Sequence, residues 1–226
     1  MFAVLKKELK SYFYTPIGYI FISLFLVAMS FVFYNYTFSQ GNLHFEYVIW
    51  DSTVVLTFLI PVITMRMFSE EKKNGTDQLL VTSPKSIITI VFGKFFAATF
   101  VTIITCLLMF AYYGILSKFG HVNIVEPLVA MLGFILLSMA FISFGMFASA
   151  ITEHQVIAAI IPIVFFLLLS FASIQTGLLQ FFSLTQMYQK FPQGIISLKE
   201  VVGYISFIFL FVFLTIIFLQ RRKSVK

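Results

Sequence analysis

The feature that most constrains this chain is a set of six long stretches almost free of charge, at residues 17–38, 47–65, 87–116, 127–151, 155–173 and 201–219. Each is roughly as long as the 18 or more apolar residues that a helix needs to cross a bilayer. Buried in hydrocarbon, every backbone N–H and C=O must be satisfied within the protein, which leaves helices as the spanning form for segments of this length. With 60% hydrophobic residues and a mean hydropathy of +1.01, the chain lies well outside soluble composition. The spans and their connections use nearly all of the 226 residues. The expectation is an all-α polytopic membrane protein with six transmembrane helices, forming one domain over 1–226 with no soluble domain.

Charge gives the orientation. Lys6, Lys7, Lys10, Arg66, Lys72, Lys73, Lys85, Lys94, Arg221, Arg222, Lys223 and Lys226 flank one set of span ends, against only Lys118, Lys190 and Lys199 on the other. The excess of Lys and Arg marks the cytoplasmic side, so both termini are expected there, as an even number of spans requires. These cations flank spans and do not line a groove, so nucleic-acid binding is not expected. The lone Cys106 lies within a span and offers no disulfide framework. The first span is too long for a signal-peptide apolar core and is expected to remain as an anchor.

One polar island, residues 66–84, interrupts this pattern. It carries Arg66, Glu70, Glu71, Lys72, Lys73 and Asp77 between two apolar runs. Gly75 permits a backbone reversal, Thr76 can cap a short helix over 77–82 with Asp77 at its positive end, and Pro84 closes the segment. Leu79 and Leu80 give it an apolar edge. Such an element suits a docking surface for a cytoplasmic protein; a solvated, charge-balanced turn is the other interpretation of the same residues.

Two further stretches stand out. In residues 1–14, Phe2, Leu5, Leu9, Tyr12 and Phe13 recur at helical spacing with Lys6, Lys7 and Lys10 on the other face, as in a helix lying in the headgroup layer with its lysines towards anionic lipid. The same residues also fit a plain basic flank of the first span. Pro16 then redirects the chain. Residues 175–197 form an unusually apolar outer connection, with Leu184, Met187 and Tyr188 among its members, expected as short helices dipping into the outer leaflet. Ser197 and Glu200 fit a capping box before the last span. Gly93 with Ala97, and Gly145 with Ser149, are small-residue pairs that permit close helix approach. Lys94 is expected to snorkel at its span end, and Asp51 to be a boundary residue reaching interfacial water.

Catalytic constellations are missing. There is no phosphate-cradling Gly-x-x-x-x-Gly-Lys-Ser/Thr and no His-Glu-x-x-His. His44, His121 and His154 fall on separate loops and are not expected to share a metal. The spans lack the central charged residues typical of ion-coupled transporters. A translocator of this kind needs an external energy source.

In order along the chain, Met1-Phe2-Ala3-Val4-Leu5-Lys6-Lys7-Glu8, Pro16-Ile17-Gly18-Tyr19, Pro61 and the run from Met65 through Thr76 are followed by Leu79-Leu80, Pro84 and Gly93-Lys94-Phe95. Later come Gly145-Met146-Phe147-Ala148-Ser149, Thr152-Glu153-His154-Gln155 and Gly194-Ile195-Ile196-Ser197. With these residues the chain resembles the permeases of the ATP-binding-cassette (ABC) type-2 family, and most of all their gliding-motility-associated subunits. Gln78 stands where that family commonly has Glu, His154 where it has Asn, and Ser197 where it has Asp.

The resemblance implies an export-type permease subunit in a bacterial inner membrane. It holds no ATP site, cofactor or metal of its own; ATP and Mg would sit on a separate cytoplasmic ABC ATPase. The chain would pair with a second permease copy or a paralogue, with an auxiliary membrane protein as a further partner. The ATPase-coupling role falls on Arg66, Glu70, Glu71, Gly75, Thr76, Asp77, Gln78, Leu79, Leu80 and Pro84. The interfacial helix falls on Leu5, Lys6, Lys7, Leu9 and Lys10, and an outer gate on Phe181, Phe182, Tyr188 and Phe191. A non-transporting scaffold, using ATPase motion to act on an envelope partner, is the alternative.

Overall fold

A computed structural model describes residues 2–39, 41, 43–75, 86–119, 123–175 and 184–225. Every regular element among the described residues is helical. The chain runs through α1 (Phe2–Tyr14), α2 (Ile17–Tyr34, continued by a π-turn at Asn35–Ser39), α3 (Phe45–Thr64) and α4 (Arg66–Lys73). It continues through α5 (Ile87–Leu116), α6 (Val125–Ile151) and α7 (Gln155–Gln175). A one-turn helix α8 (Leu184–Met187) leads into a 3-10 turn (Tyr188–Lys190), and α9 (Leu198–Val225) closes the chain.

Five helical segments are long and apolar enough to cross a membrane: Ile17–Ser39, Phe45–Lys73, Ile87–Leu116, Val125–Ile151 and Leu198–Arg221. This makes the chain a multi-pass membrane protein. The sixth expected span does not meet that measure within its described residues. Helix α7 is continuous over Gln155–Gln175, but the apolar run counted there is Gln155–Ser170. The boundaries also move: α3 opens at Phe45, so Glu46, expected in a loop, lies in its first turn.

Of the five membrane-long segments, α6 is the most enclosed and α9 the least. Small residues explain the central position of α6. A Cβ at Gly145 would stand 2.3 Å from Thr64 Oγ1, and one at Gly133 would stand 2.5 Å from Phe191 Cγ. Backbone can approach this closely only where a side chain is missing, and tight helix contacts in lipid rely on it. Around α6 pack Phe134, Leu137 and Phe141, with Phe25 of α2, Leu56 of α3 and Val101 of α5, all buried. Phe141 stacks on Phe166 with ring centroids 4.0 Å apart, and Phe144 on Phe165 at 4.1 Å. By contrast α9 exposes Val202, Phe209 and Phe213, as does α2 Leu24, Val27 and Phe31. Such faces suit lipid or another membrane helix.

Helix α3 is interrupted for an identifiable reason. Pro61 cannot donate to the preceding turn, and the Thr64 hydroxyl competes locally by donating to the Ile60 carbonyl at 3.1 Å. The helix turns at Met65, whose N–H still reaches the Pro61 carbonyl at 2.8 Å, and restarts as α4. Half of the polar island is therefore helix packed on the bundle rather than a loop.

Candidate functional site: the near end of the bundle

Helices α1 and α4, the start of α5 and the end of α6 meet at one end of the bundle, the near end. The first turn of α4 has N–H groups with no partner in its own helix. Ser149 of α6 supplies one: its hydroxyl accepts from Phe68 N at 3.0 Å and Ser69 N at 3.1 Å, and donates to the Met65 carbonyl at 3.1 Å. One buried hydroxyl thus bridges both sides of the break. The Ser69 hydroxyl donates to the same Met65 carbonyl, and the Lys72 ammonium to the Ala150 carbonyl near the end of α6. Lys72 also lies over the Phe218 ring of α9, 5.4 Å from its centroid.

The opposite side of α4 is tied by charge. Lys94 Nζ of α5 lies 2.9 Å from Glu71 Oε1 and 3.2 Å from Glu8 Oε1 of α1. The Lys94 side chain is only 4% exposed and sits 5.2 Å over the Phe68 ring. The expected snorkelling does not occur, because two carboxylates from flanking helices satisfy the ammonium inside the protein. Arg66 closes a bidentate pair with Glu70 within α4, at 2.7 and 2.6 Å. Between α1 and α4 lies a cavity of about 580 Å³, lined by Lys7, Glu8, Arg66, Glu70, Glu71 and Lys94 among others. Burial, and then the Glu8 carboxylate, push the Tyr12 phenol well above its ordinary range, so it lines this cavity as a neutral group.

Helix α1 meets the bundle through a different stripe from the one its leucines trace. Val4 and Tyr12 are buried and Glu8 lies between them, at four-residue spacing. A Cβ at Gly93 would stand 2.7 Å from Val4 Cγ1, which lets α1 lie against α5. Leu5, Leu9 and Phe13, with Phe2 and Phe100, line a shallow apolar groove edged by Lys6 and Lys10.

A family model described as ABC-2 family transporter protein matches residues 2–223. This chain belongs to that family. No curated protein matches the sequence. ABC-2 permeases are membrane components of ABC transporters and normally work with a cytoplasmic ABC ATPase. Of the coupling residues expected in this ABC-2 chain, Arg66, Glu70 and Glu71 share α4, and Gly75 follows it with φ +69, the left-handed conformation its sequence position implied. Thr76, Asp77, Gln78, Leu79, Leu80 and Pro84 lie outside the described residues, as do Phe181 and Phe182 of the expected gate.

Tyr188 and Phe191 are both buried at the opposite, far end. Tyr188 stacks on Trp50 of α3, centroids 5.5 Å apart and planes 4° from parallel, and its hydroxyl donates to the Ala130 carbonyl of α6 at 2.9 Å. Tyr204 of α9 donates to the Leu184 carbonyl at 2.6 Å. Residues 184–191 of the apolar connection are therefore seated between α3, α6 and α9. The capping box expected before α9 is not made. The Ser197 hydroxyl has no hydrogen-bond partner, and Glu200 instead pairs with Lys190 at 2.7 Å. The Lys190 ammonium draws Oε1 of Glu200 into a charge-assisted pair, and Oε2 makes no hydrogen bond.

Sequence reasoning missed three residues here. Glu8 and the inward turn of Lys94 carried a faint signal, since 4, 8 and 12 form one helix stripe. The capping role of Ser149 carried none beyond its small size.

Proposed function

We propose that this chain is the export-type permease subunit of an ABC transporter of a bacterial inner membrane, of the kind found among gliding-motility-associated permeases. Helix α7 serves as the sixth span, both termini and the near end face the cytoplasm, and α1 lies in the headgroup layer with Lys6, Lys7 and Lys10 towards lipid phosphates. A separate ATPase, which supplies the ATP and Mg chemistry, docks on residues 74–84. The subunit works with a second permease copy or paralogue.

The observation that carries this reading is the fastening of α4. Whatever displaces residues 74–84 pulls on a helix capped by α6 and charge-paired to α5 and α1. Interiors packed in this way transmit displacement because they do not deform continuously. Docking energy at one loop then becomes movement of three spans and the interfacial helix. The segment 184–197 at the far end moves with α3 and α6, which hold Tyr188.

The experiment is co-purification of the permease with its ATPase, followed by ATPase assays in reconstituted vesicles. Replacing Leu79 and Leu80 by Asp abolishes ATPase capture while membrane insertion and thermal stability stay as in the parent protein. Capture unchanged by both replacements overturns the docking assignment. ATPase stimulation by an envelope protein in place of any transported molecule moves the assignment to a mechanical scaffold.

A further inference from the structure

The far end holds a cluster that the transport reading does not use. His44 precedes α3, Glu46 is in the first turn of α3, and Glu126 is in the first turn of α6. One ligand atom from each lies within 4.8 Å of the other two. His44 Nδ1 is 2.6 Å from Glu46 Oε1. Glu46 is buried, 4% exposed, whereas Glu126 is half-buried and His44 exposed. Asn123 Nδ2 reaches Glu126 at 3.3 Å.

Four of the other carboxylates have a cation: Glu8 and Glu71 share Lys94, Glu70 has Arg66, and Glu200 has Lys190. Asp51 accepts from the Tyr36 hydroxyl, and among the described residues it has no second carboxylate beside it as Glu46 and Glu126 have. Among the described residues no lysine or arginine pairs with Glu46 or Glu126. Two carboxylates this close, one of them removed from water, favour a cation between them. Helix dipoles at the two first turns supply only partial positive charge. The His44 imidazole, with Nδ1 turned towards Glu46, supplies a third donor, and it is a nitrogen donor.

We propose that His44, Glu46 and Glu126 form a binding site for a divalent transition-metal ion of the Zn²⁺ type. One imidazole nitrogen and two carboxylate oxygens suit Zn²⁺ or Mn²⁺ better than Ca²⁺ or Mg²⁺, which prefer all-oxygen shells. Zn²⁺ binds such ligands at about 2.0–2.2 Å, with a fourth position left for water. The present spacing requires a small contraction, which the exposed His44 side chain and the half-buried Glu126 side chain supply by rotation. The bound ion replaces the His44–Glu46 hydrogen bond with a link between the first turns of α3 and α6.

Position gives the link a consequence. A Cβ at Gly194 would stand 3.3 Å from Glu126 Cγ, so the turn following Phe191 lies directly over the cluster. Phe191 in turn packs on Gly133, two turns further along α6. Metal at this site ties the far ends of α3 and α6 beneath the segment that holds Tyr188 and Phe191. The site does not depend on how, or whether, an ATPase drives the chain.

The test uses the full-length, tag-free protein in nanodiscs of neutral phospholipid at pH 7, stripped of metal and titrated with Zn²⁺ against a chromophoric chelator. The expected result is one Zn²⁺ per chain and a higher Tm on loading, with Co²⁺ giving the visible spectrum of a four-coordinate site. His44→Ala and Glu126→Gln alter exposed or half-buried side chains and leave the metal-free Tm close to the parent value. Each weakens Zn²⁺ binding by at least about tenfold, the loss typical even of residues one shell further out. A His154→Ala control binds as the parent does. No stoichiometric Zn²⁺ binding, binding unchanged in both site variants, or a preference for Ca²⁺ over Zn²⁺ overturns the proposal.

Discussion

The Ser149 hydroxyl of α6 accepts the backbone N–H of Phe68 at 3.0 Å, so the helix that starts the polar island is capped by a span more than 80 residues later in the chain. An N-cap normally comes from the residue just before its helix. Here Met65 occupies that place and cannot serve, having no side-chain acceptor of the required kind. Making the cap depend on α6 means that α4 is ordered only when α3 and α6 are packed together.

Ser149→Ala removes that cap and leaves buried N–H groups unsatisfied. A loss of about 1 kcal/mol is expected from the cap alone. Hydrogen exchange should rise at Phe68 and Ser69 of α4 before it rises in α3. Uniform protection across both helices in the variant would show that the cap is dispensable.

The charge cluster predicts asymmetric losses. Lys94→Met strands Glu8 and Glu71 and should cost about 3–5 kcal/mol, the range for removing one partner of a buried pair. Adding Glu8→Gln and Glu71→Gln to Lys94→Met should recover most of that loss, because no uncompensated charge then remains. Urea or thermal unfolding of the single, double and triple variants measures the coupling; additive losses would contradict it.

At the α3–α6 contact, Gly145→Ala places a methyl where Thr64 Oγ1 already stands. Overpacking of this kind costs about 1–3 kcal/mol. Thr64→Ala should relieve much of it, so the double variant should melt above Gly145→Ala alone. A double variant no more stable than the single one would place the strain elsewhere.

Tyr188 is buried on every side, and its ring and hydroxyl make separable contributions. Tyr188→Phe keeps the stack on Trp50 and loses one hydrogen bond, for about 1 kcal/mol. Tyr188→Ala empties the site and should cost about 3–5 kcal/mol. Proteolysis of the 184–197 segment should follow the same order, and equal sensitivity in both variants would show that the ring is not what seats it.

Much of the architecture was legible in the chain itself. Length and apolarity mark the spans because bilayer thickness is a fixed ruler, and Gly145 and Gly93 announce close contacts because few other reasons exist for small residues there. The same ruler marks 155–173, where α7 runs continuously over Gln155–Gln175. The island's first half escaped as helix because its charges imitate a solvated loop, while Met67 and Phe68, the residues that bury it, look like the end of the preceding span. Ser197 and Glu200 have capping-box spacing, but spacing says nothing of a competing Lys190.

The sequence by itself determined that this chain is a multi-span helical membrane protein, where its polar island lies and which family it joins. Those properties rest on local composition, periodicity and ordered motifs. Only the tertiary structure decided that Lys94 turns inward to Glu8 and Glu71, that Ser149 caps α4, and that His44 meets two carboxylates from different helices. The physical reason is common to all three. A charge or hydroxyl in a low-dielectric interior takes the partner that packing brings within about 3 Å, and that partner lies dozens of residues away on another helix.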